Sequence, residues 1–156
     1  MQVQPQAEQK VLGESAHDAW IALQRVAPIL QERIDQKLKQ QGFPDLAAYS
    51  ILWAIDRAGA PIRPRDLGVL LFLPRYKVSR QIDRLAEDGQ VIKRKCPEDA
   101  RGHLLELTAC GRELRKAMWE IYRPAIGEVM HGVSESEAAV LANLLNRLAG
   151  YAPLDG

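Results

Sequence analysis

The sequence predicts a mainly α-helical chain interrupted once by a small β-hairpin, and three observations carry that expectation. Apolar residues recur every three to four positions over most of the 156 residues, the period of helices with one buried face. Between Val91 and Thr108 that period gives way to two β-prone runs around a turn-rich centre. Just before them, two short helical segments follow each other with only a tight turn between. Helix, helix, two short helices, hairpin, helix, helix is the order of a winged helix-turn-helix flanked by helical arms.

Taken in order, Ala16, Ala19, Trp20, Leu23, Val26, Ala27, Leu30, Ile34 and Leu38 form one stripe on a helix over 14–40. Pro28 removes a backbone donor inside it, so a kink or break is expected near Gln24. Gly42 ends the helix, and Phe43-Pro44-Asp45 opens the next, which runs to about Ala58 before Gly59. A short helix from Pro64 to about Phe72 leads to a second from Pro74 to Asp88, stopped by Gly89. Val91 to Cys96 and His103 to Thr108 read as strands around an exposed tip at Pro97 to Gly102. Thr108 is a good cap for a helix to about Met130, with kinks expected at Pro124 and Gly127. Ser134 and Glu137 have capping-box spacing ahead of a last helix that ends at Gly150.

Composition excludes several classes. With 47% hydrophobic and 26% charged residues, the chain suits one soluble domain, or one domain with a helical extension, large enough to bury roughly 70% of its unfolded surface. It has no apolar run near the ~18 residues of a membrane span. Two cysteines cannot build a disulfide scaffold. Residues 1–11 are Gln-rich and polar, without the basic start and apolar stretch of a signal peptide. They are expected to form a disordered tail, and the expected compartment is a reducing cytoplasm. His17, His103 and His131 lack metal spacing. Neither a phosphate loop nor a GxSxG elbow occurs. The expectation is no enzyme, no metal and no cofactor.

Net charge is only +1, but it is unevenly distributed. Residues 57–101 hold 11 Lys and Arg against six acids, an excess of +5, while the remainder carries −4. Such asymmetry suits contact with a polyanion, or a merely solvated charged face. On a helix over Arg75 to Glu87, Val78, Ile82 and Leu85 share about 60° of arc and form the core stripe. The opposite face presents Tyr76, Ser79, Arg80 and Asp83, flanked by Lys77 and Arg84. Arg can read a guanine edge bidentately, and Ser and Tyr can reach phosphates or bases. Lys93, Arg94 and Lys95 on the hairpin, with Arg101 near its tip, extend the positive surface. Such a loop can follow phosphates or push an Arg into a narrow minor groove. Asp99 is expected to hold an Arg side chain in place. Arg65 and Arg75, from the same basic segment, complete the candidate set.

These residues carry a family resemblance. Phe43 to Gly111 resembles the MarR-type winged-helix transcriptional regulators through Val78-Ser79-Arg80, Asp83-Arg84-Leu85 with Gly89, Pro97 to Arg101, and Leu107-Thr108 with Gly111. The likeness extends over roughly residues 12–150. It implies a homodimer whose helical dimerisation region comprises 12–42 and 109–152, around a DNA-binding winged helix over 43–108. It also implies that Tyr76, Lys77, Ser79, Arg80 and Arg84 face the major groove of a palindromic operator and Arg101 the minor groove. Repression relieved by a small, often aromatic, ligand is the implied output. Two departures stand out: Leu71-Phe72-Leu73-Pro74 is bulky where the family has a small residue, and Arg63-Pro64 replaces the Ser or Thr cap. The other reading is a winged-helix module that binds protein and does not touch DNA.

A dimer is also expected from the residues alone. Trp20, Leu23, Leu30, Met118, Trp119, Ile121, Tyr122, Leu141, Leu144, Leu145 and Leu148 on the end helices exceed what one small core can cover. His17, Trp20, Arg25, Tyr49 and Trp53 are candidates for a ligand cleft, with Arg25 pairing a carboxylate and the aromatics stacking. Trp20 and Trp53 read better as plain core residues. Cys96 and Cys110 read as incidental thiols, since a hairpin centred near Asp99 to Ala100 would not set them face to face.

Overall fold

The computed structural model describes residues 13–71 and 73–150. The expected tail at 1–11, Phe72 and the last two residues of the 109–152 segment lie outside them. Six helices and two strands follow in sequence order: α1 (Glu14–Gln40), α2 (Leu46–Ala58), α3 (Pro64–Leu71), α4 (Arg75–Glu87), β1 (Val91–Cys96), β2 (Asp99–Leu107), α5 (Ala109–Val129) and α6 (Glu135–Ala149).

Helix α1 is unbroken through Pro28, and α5 through Pro124 and Gly127, so the expected break near Gln24 does not occur. A proline removes one i→i−4 bond, and the bonds on either side keep the axis continuous. Capping follows local chemistry. Asp45 accepts the Ala48 N–H at 2.9 Å and lies just outside α2. Gly59 closes α2 in the left-handed region (φ 63°), where a side chain would be strained. The Ser134–Glu137 capping box forms at the start of α6 in both directions. Its two Ser134 hydrogen bonds hold the Glu137 carboxyl below its ordinary pKa.

The core gathers one face from each of seven elements. Ile34 and Leu38 of α1, the buried run of α2 from Ala48 to Ile55, Leu67 of α3, and Val78, Ile82 and Leu85 of α4 pack together. Val91, Leu105 and Leu107 of the hairpin and Met118 and Ala125 of α5 complete the cluster. The bulky residues of the α3–α4 turn have a place in it, since Leu71 and Leu73 pack against this cluster. The small residue sits earlier, at Gly68, where an added Cβ would already touch the Leu73 carbonyl at 3.7 Å. At the head of α3, Pro64 occupies the first helical position. The Arg63 carbonyl accepts the Asp66 and Leu67 N–H groups.

The hairpin is tighter than its sequence suggests. Pairing runs antiparallel from Val91↔Leu107 to Lys95↔His103 and then jumps to Cys96↔Asp99. The reversal is therefore Pro97-Glu98 alone, and Ala100 to Gly102 form a bulge on the second strand rather than part of an open tip. Ile62 adds a short third rung, exchanging both backbone hydrogen bonds with Leu105 (2.9 and 3.2 Å).

The junction from β2 to α5 explains the spacing Leu107-Thr108-x-x-Gly111. Thr108 Oγ1 donates to the Gly89 carbonyl (2.8 Å) and accepts the Gly111 N–H (2.9 Å). The Thr108 N–H donates to the Gln90 carbonyl at 3.1 Å. This draws the first turn of α5 onto the backbone that leaves α4, so closely that a Cβ on Gly111 would stand 2.1 Å from the Gln90 oxygen. Gly111→Ala is expected to destabilise the fold by roughly 1–3 kcal/mol, because backbone has to move to admit the methyl. Thr108→Val should cost about 1 kcal/mol through the lost cap. Thermal melts of the two variants beside the wild type check both values, and an unchanged Gly111→Ala melt would contradict this packing.

Candidate nucleic-acid interface

Burying Val78, Ile82 and Leu85 fixes which side of α4 meets solvent. Arg75, Tyr76, Lys77, Ser79, Arg80, Asp83 and Arg84 are all exposed, Tyr76 by 63%. Among the described residues, Arg75, Lys77, Arg80 and Arg84 make no ion pair with a carboxylate. No side chain caps the start of α4, where Pro74 supplies only its carbonyl, to Lys77 and Val78. The helix thus presents free guanidinium and ammonium groups, one hydroxyl, one phenol and the positive end of its dipole. Gln81 sits at the edge of this face, and its side-chain amide donates to both carboxylate oxygens of Asp45 at 3.0 Å, clamping α4 to the head of α2.

On the hairpin the sequence-predicted cations divide into two groups. Lys93 pairs with Asp83 of α4, and Arg94 pairs across the strands with Glu106 at 3.0 Å. Arg65 on α3 lies 3.5 Å from Asp66. Lys95 and Arg101 are exposed and make no such pair among the described residues. Asp99 was expected to hold an arginine side chain, and it does something else. Its Oδ1 accepts the Arg101 backbone N–H at 3.0 Å, closing the bulge as an Asx turn. A backbone donor two residues on is always within reach of that carboxylate, whereas a guanidinium has to be ordered to meet it.

The comparisons with known proteins agree with this arrangement. The MarR family profile matches residues 41–102, from the head of α2 through the hairpin bulge. Solved structures of similar fold include a MarR-family transcriptional regulator from Streptomyces coelicolor in complex with DNA. It has a TM-score of 0.79 and 20% identity, covering 97% of this chain and 96% of that one. A MarR-family regulator from Rhodococcus sp. RHA1 gives 0.76 and 21%, covering 90% and 96%. A mutant MarR from E. coli complexed with operator DNA gives 0.70 and 25%, covering 84% and 96%. Residues 41–102 thus match the MarR family, and the chain as a whole shares the fold of MarR-family regulators. That match supports a DNA-binding transcriptional regulator.

The five candidate ligand residues stand in different settings. Tyr49 is buried in an aromatic cluster, stacked on Trp119 (centroids 6.3 Å apart) and edge-on to Tyr122 (4.9 Å). Burial raises the pKa of both tyrosines, with the Arg115 guanidinium pulling Tyr49 partly back. Arg115 Nε itself lies 2.7 Å from Asp56 Oδ2, off the N–H axis, so the contact is an ion pair rather than an aligned hydrogen bond. His17, Trp20 and Arg25 are exposed on the first half of α1. Trp53 is at the surface beneath the Arg57 guanidinium (5.4 Å). Neither Trp20, 58% exposed, nor Trp53 is the core residue its apolar pattern allows. Cys96 is buried and Cys110 exposed, both as free thiols.

A cleft of about 540 Å³ opens elsewhere, between α1, α2 and α4. Asp35 and Asp45 line one side and Lys77, Arg80 and Arg84 the other. Sequence reasoning did not find Asp35, Asp45 or Gln81 as parts of this site, because their partners are 11 to 36 residues away. Asp83 was placed on the outer face of its helix, yet its pairing with Lys93 depends on how the hairpin docks. No group of three or more metal-ligating side chains occurs among the described residues, and no helix there is long and apolar enough to cross a membrane.

Asp35 has a raised pKa, chiefly because partial burial penalises its charge, with Asp45 and Glu32 repelling it further and the Leu46 N–H (2.6 Å) opposing the shift. The folded carboxyl keeps its proton to higher pH than the unfolded chain does. Stability should therefore fall as pH rises from the ordinary carboxylate value through the raised one. Asp35→Asn keeps an oxygen for the Leu46 N–H and removes the charge. The variant is expected to be more stable than wild type at neutral pH and to lose that advantage in acid, as read by denaturant melts across pH.

Proposed function

We propose that this chain acts as a homodimeric repressor that binds a palindromic operator and is released by a small molecule. The observation that carries the reading is the exposed set Arg75, Lys77, Arg80 and Arg84 around Tyr76 and Ser79, free of carboxylate partners within the described chain. Internal ion pairs would neutralise such a face. Left free, it suits phosphates and base edges in a major groove. Arg101 on its bulge suits a minor groove, with Lys95 beside the phosphates.

Dimerisation through 12–42 and 109–152 is supported by apolar surface that the described residues leave uncovered. Among the described residues, helix α6 buries no side chain and makes no extended contact with another element. It exposes Val140, Leu141, Leu144, Leu145 and Leu148, the last by 76%, and α1 adds Trp20, Val26 and Ile29. A twofold axis through these helices would set two 43–108 domains about one helical turn apart on a duplex. The cleft beside α4 supports effector release. An anionic molecule seated against Lys77, Arg80 and Arg84 would occupy the groups that phosphates need. Two unbridged cysteines fit a reducing cytoplasm.

Arg80→Ala and Arg101→Ala are each expected to weaken operator binding by roughly 1–3 kcal/mol, with the dimer intact. Gel shifts and sedimentation read the two properties separately. Wild-type affinity should fall steeply with salt, by about 0.9 in log–log slope per neutralised phosphate. Normal DNA binding by both variants would refute the reading. Leu144→Glu combined with Leu148→Glu is expected to yield monomers that bind operator far more weakly, and a persisting dimer would refute the proposed interface.

A further inference from the structure

Glu98 is a carboxylate at the hairpin reversal, where a DNA-facing loop has no evident use for negative charge. Arg63 Nη2 donates to Glu98 Oε2 at 3.3 Å and to Cys96 Sγ at 3.6 Å. The strands lose register between Lys95 and Cys96, and Glu98 directly precedes Asp99 to Gly102, the segment carrying Arg101. The contact continues inward: a Cβ on Gly102 would stand 3.4 Å from Cys96 Cβ and 3.1 Å from Asp99 Oδ2. Arg63 is also fixed at its backbone. Its carbonyl receives the first N–H groups of α3, and its neighbour Ile62 is bonded in both directions to Leu105 of β2.

We propose that Arg63 is a positioning residue, a strut from the head of α3 that holds the Glu98 reversal and so sets where Arg101 stands. A side chain with both ends engaged is poorly free to follow a phosphate, and Arg63 is half-buried while Glu98 is mostly exposed. The forked guanidinium suits a joint that has to reach a sulfur and a carboxylate together. On this account the unusual Arg63-Pro64 start of α3 gives up a side-chain cap and gains a tie to the hairpin.

The proposal rests on Arg101 contacting DNA, and the test separates the two ideas. Full-length wild type is used to select duplexes from a random-sequence library, and the recovered duplex is titrated with each variant. If Glu98 were only a misplaced charge, Glu98→Gln would bind tighter, because a repulsive carboxylate is gone. The strut predicts the opposite sign: Glu98→Gln and Arg63→Ala each weaken binding about two- to fivefold, the range of an exposed ion pair. The double variant should be no worse than either single one, and both changes should lose their effect in an Arg101→Ala background. Tighter binding by Glu98→Gln overturns the strut. So does an Arg63→Ala loss that adds fully to Arg101→Ala and lowers the salt slope by about 0.9, the mark of a direct phosphate contact. Glu98→Gln alters only an exposed side chain, so its sign decides even if Arg63→Ala fails to fold. A wild type that recovers no duplex overturns the DNA-binding reading, and this proposal with it.

Discussion

The seating of Val78, Ile82 and Leu85 against α2 is the constraint from which the interface follows. These three side chains are almost fully buried, and each is worth on the order of 1.5–3 kcal/mol of apolar transfer. Turning α4 to present any other face would expose all three at once. That cost greatly exceeds the repulsion among a few screened surface cations. The helix can therefore keep Arg75, Lys77, Arg80 and Arg84 on its outer side without compensating acids, since burial and not charge pairing sets its orientation. The Gln81 clamp on Asp45 adds direction to a contact that apolar packing alone leaves free to slide.

The hairpin solves a different problem, because two strands with one covered face are marginal by themselves. Besides the Arg63 contact with Cys96 and Glu98, it is held at three places: the Ile62–Leu105 rung, the Thr108–Gly89 and Gly111–Gln90 joint, and the Lys93–Asp83 pair to α4. Two of these use backbone or a small buried residue, which tolerate little variation. The third uses exposed charge and contributes less than about 1 kcal/mol. Internal pairing of Lys93 and Arg94 lowers the positive charge that the strands offer outward. What remains is concentrated at Lys95 and Arg101, so the hairpin is less a charged surface than a mount for two cations.

How legible this was depends on the range of the interaction. Helix bounds came through because caps, stripes and stops are local: Asp45, Gly59, Ser134 with Glu137, and Gly150 can each be read within four residues. The basic face of α4 was legible for the same reason, since a helical stripe determines its own opposite side. Pro28 misled, because a proline marks a lost hydrogen bond while packing and flanking bonds decide whether a helix stops. The hairpin tip was misplaced because Pro97 to Gly102 is turn-rich throughout, and only the pairing of Cys96 with Asp99 shows where reversal ends and bulge begins. Side-chain partners across elements were not legible. Asp83 with Lys93, Arg63 with Glu98 and Gln81 with Asp45 all depend on docking angles that no local pattern encodes.

The same long-range contacts determine how α1 and α4 are connected. The two helices make no extended direct contact, and both pack on α2. At the head of α2, Asp35 of α1 accepts the Leu46 N–H while the adjacent Asp45 holds Gln81 of α4. Two carboxylates on neighbouring backbone groups thus join an N-terminal helix to the helix with the basic face, and they form one wall of the cleft. Partial burial chiefly, with Asp45 repelling it further, raises the Asp35 pKa, so ionised Asp35 adds repulsion to a joint that already holds Asp45. A joint of this kind is sensitive to whatever enters the cleft: a cation there would relieve the repulsion. An anion would be drawn to Lys77, Arg80 and Arg84 on the opposite wall and repelled by the joint itself. The polarity of the cleft, acid toward α1 and base toward α4, therefore directs a bound anion onto the helix that carries the interface rather than onto the helix that supports it.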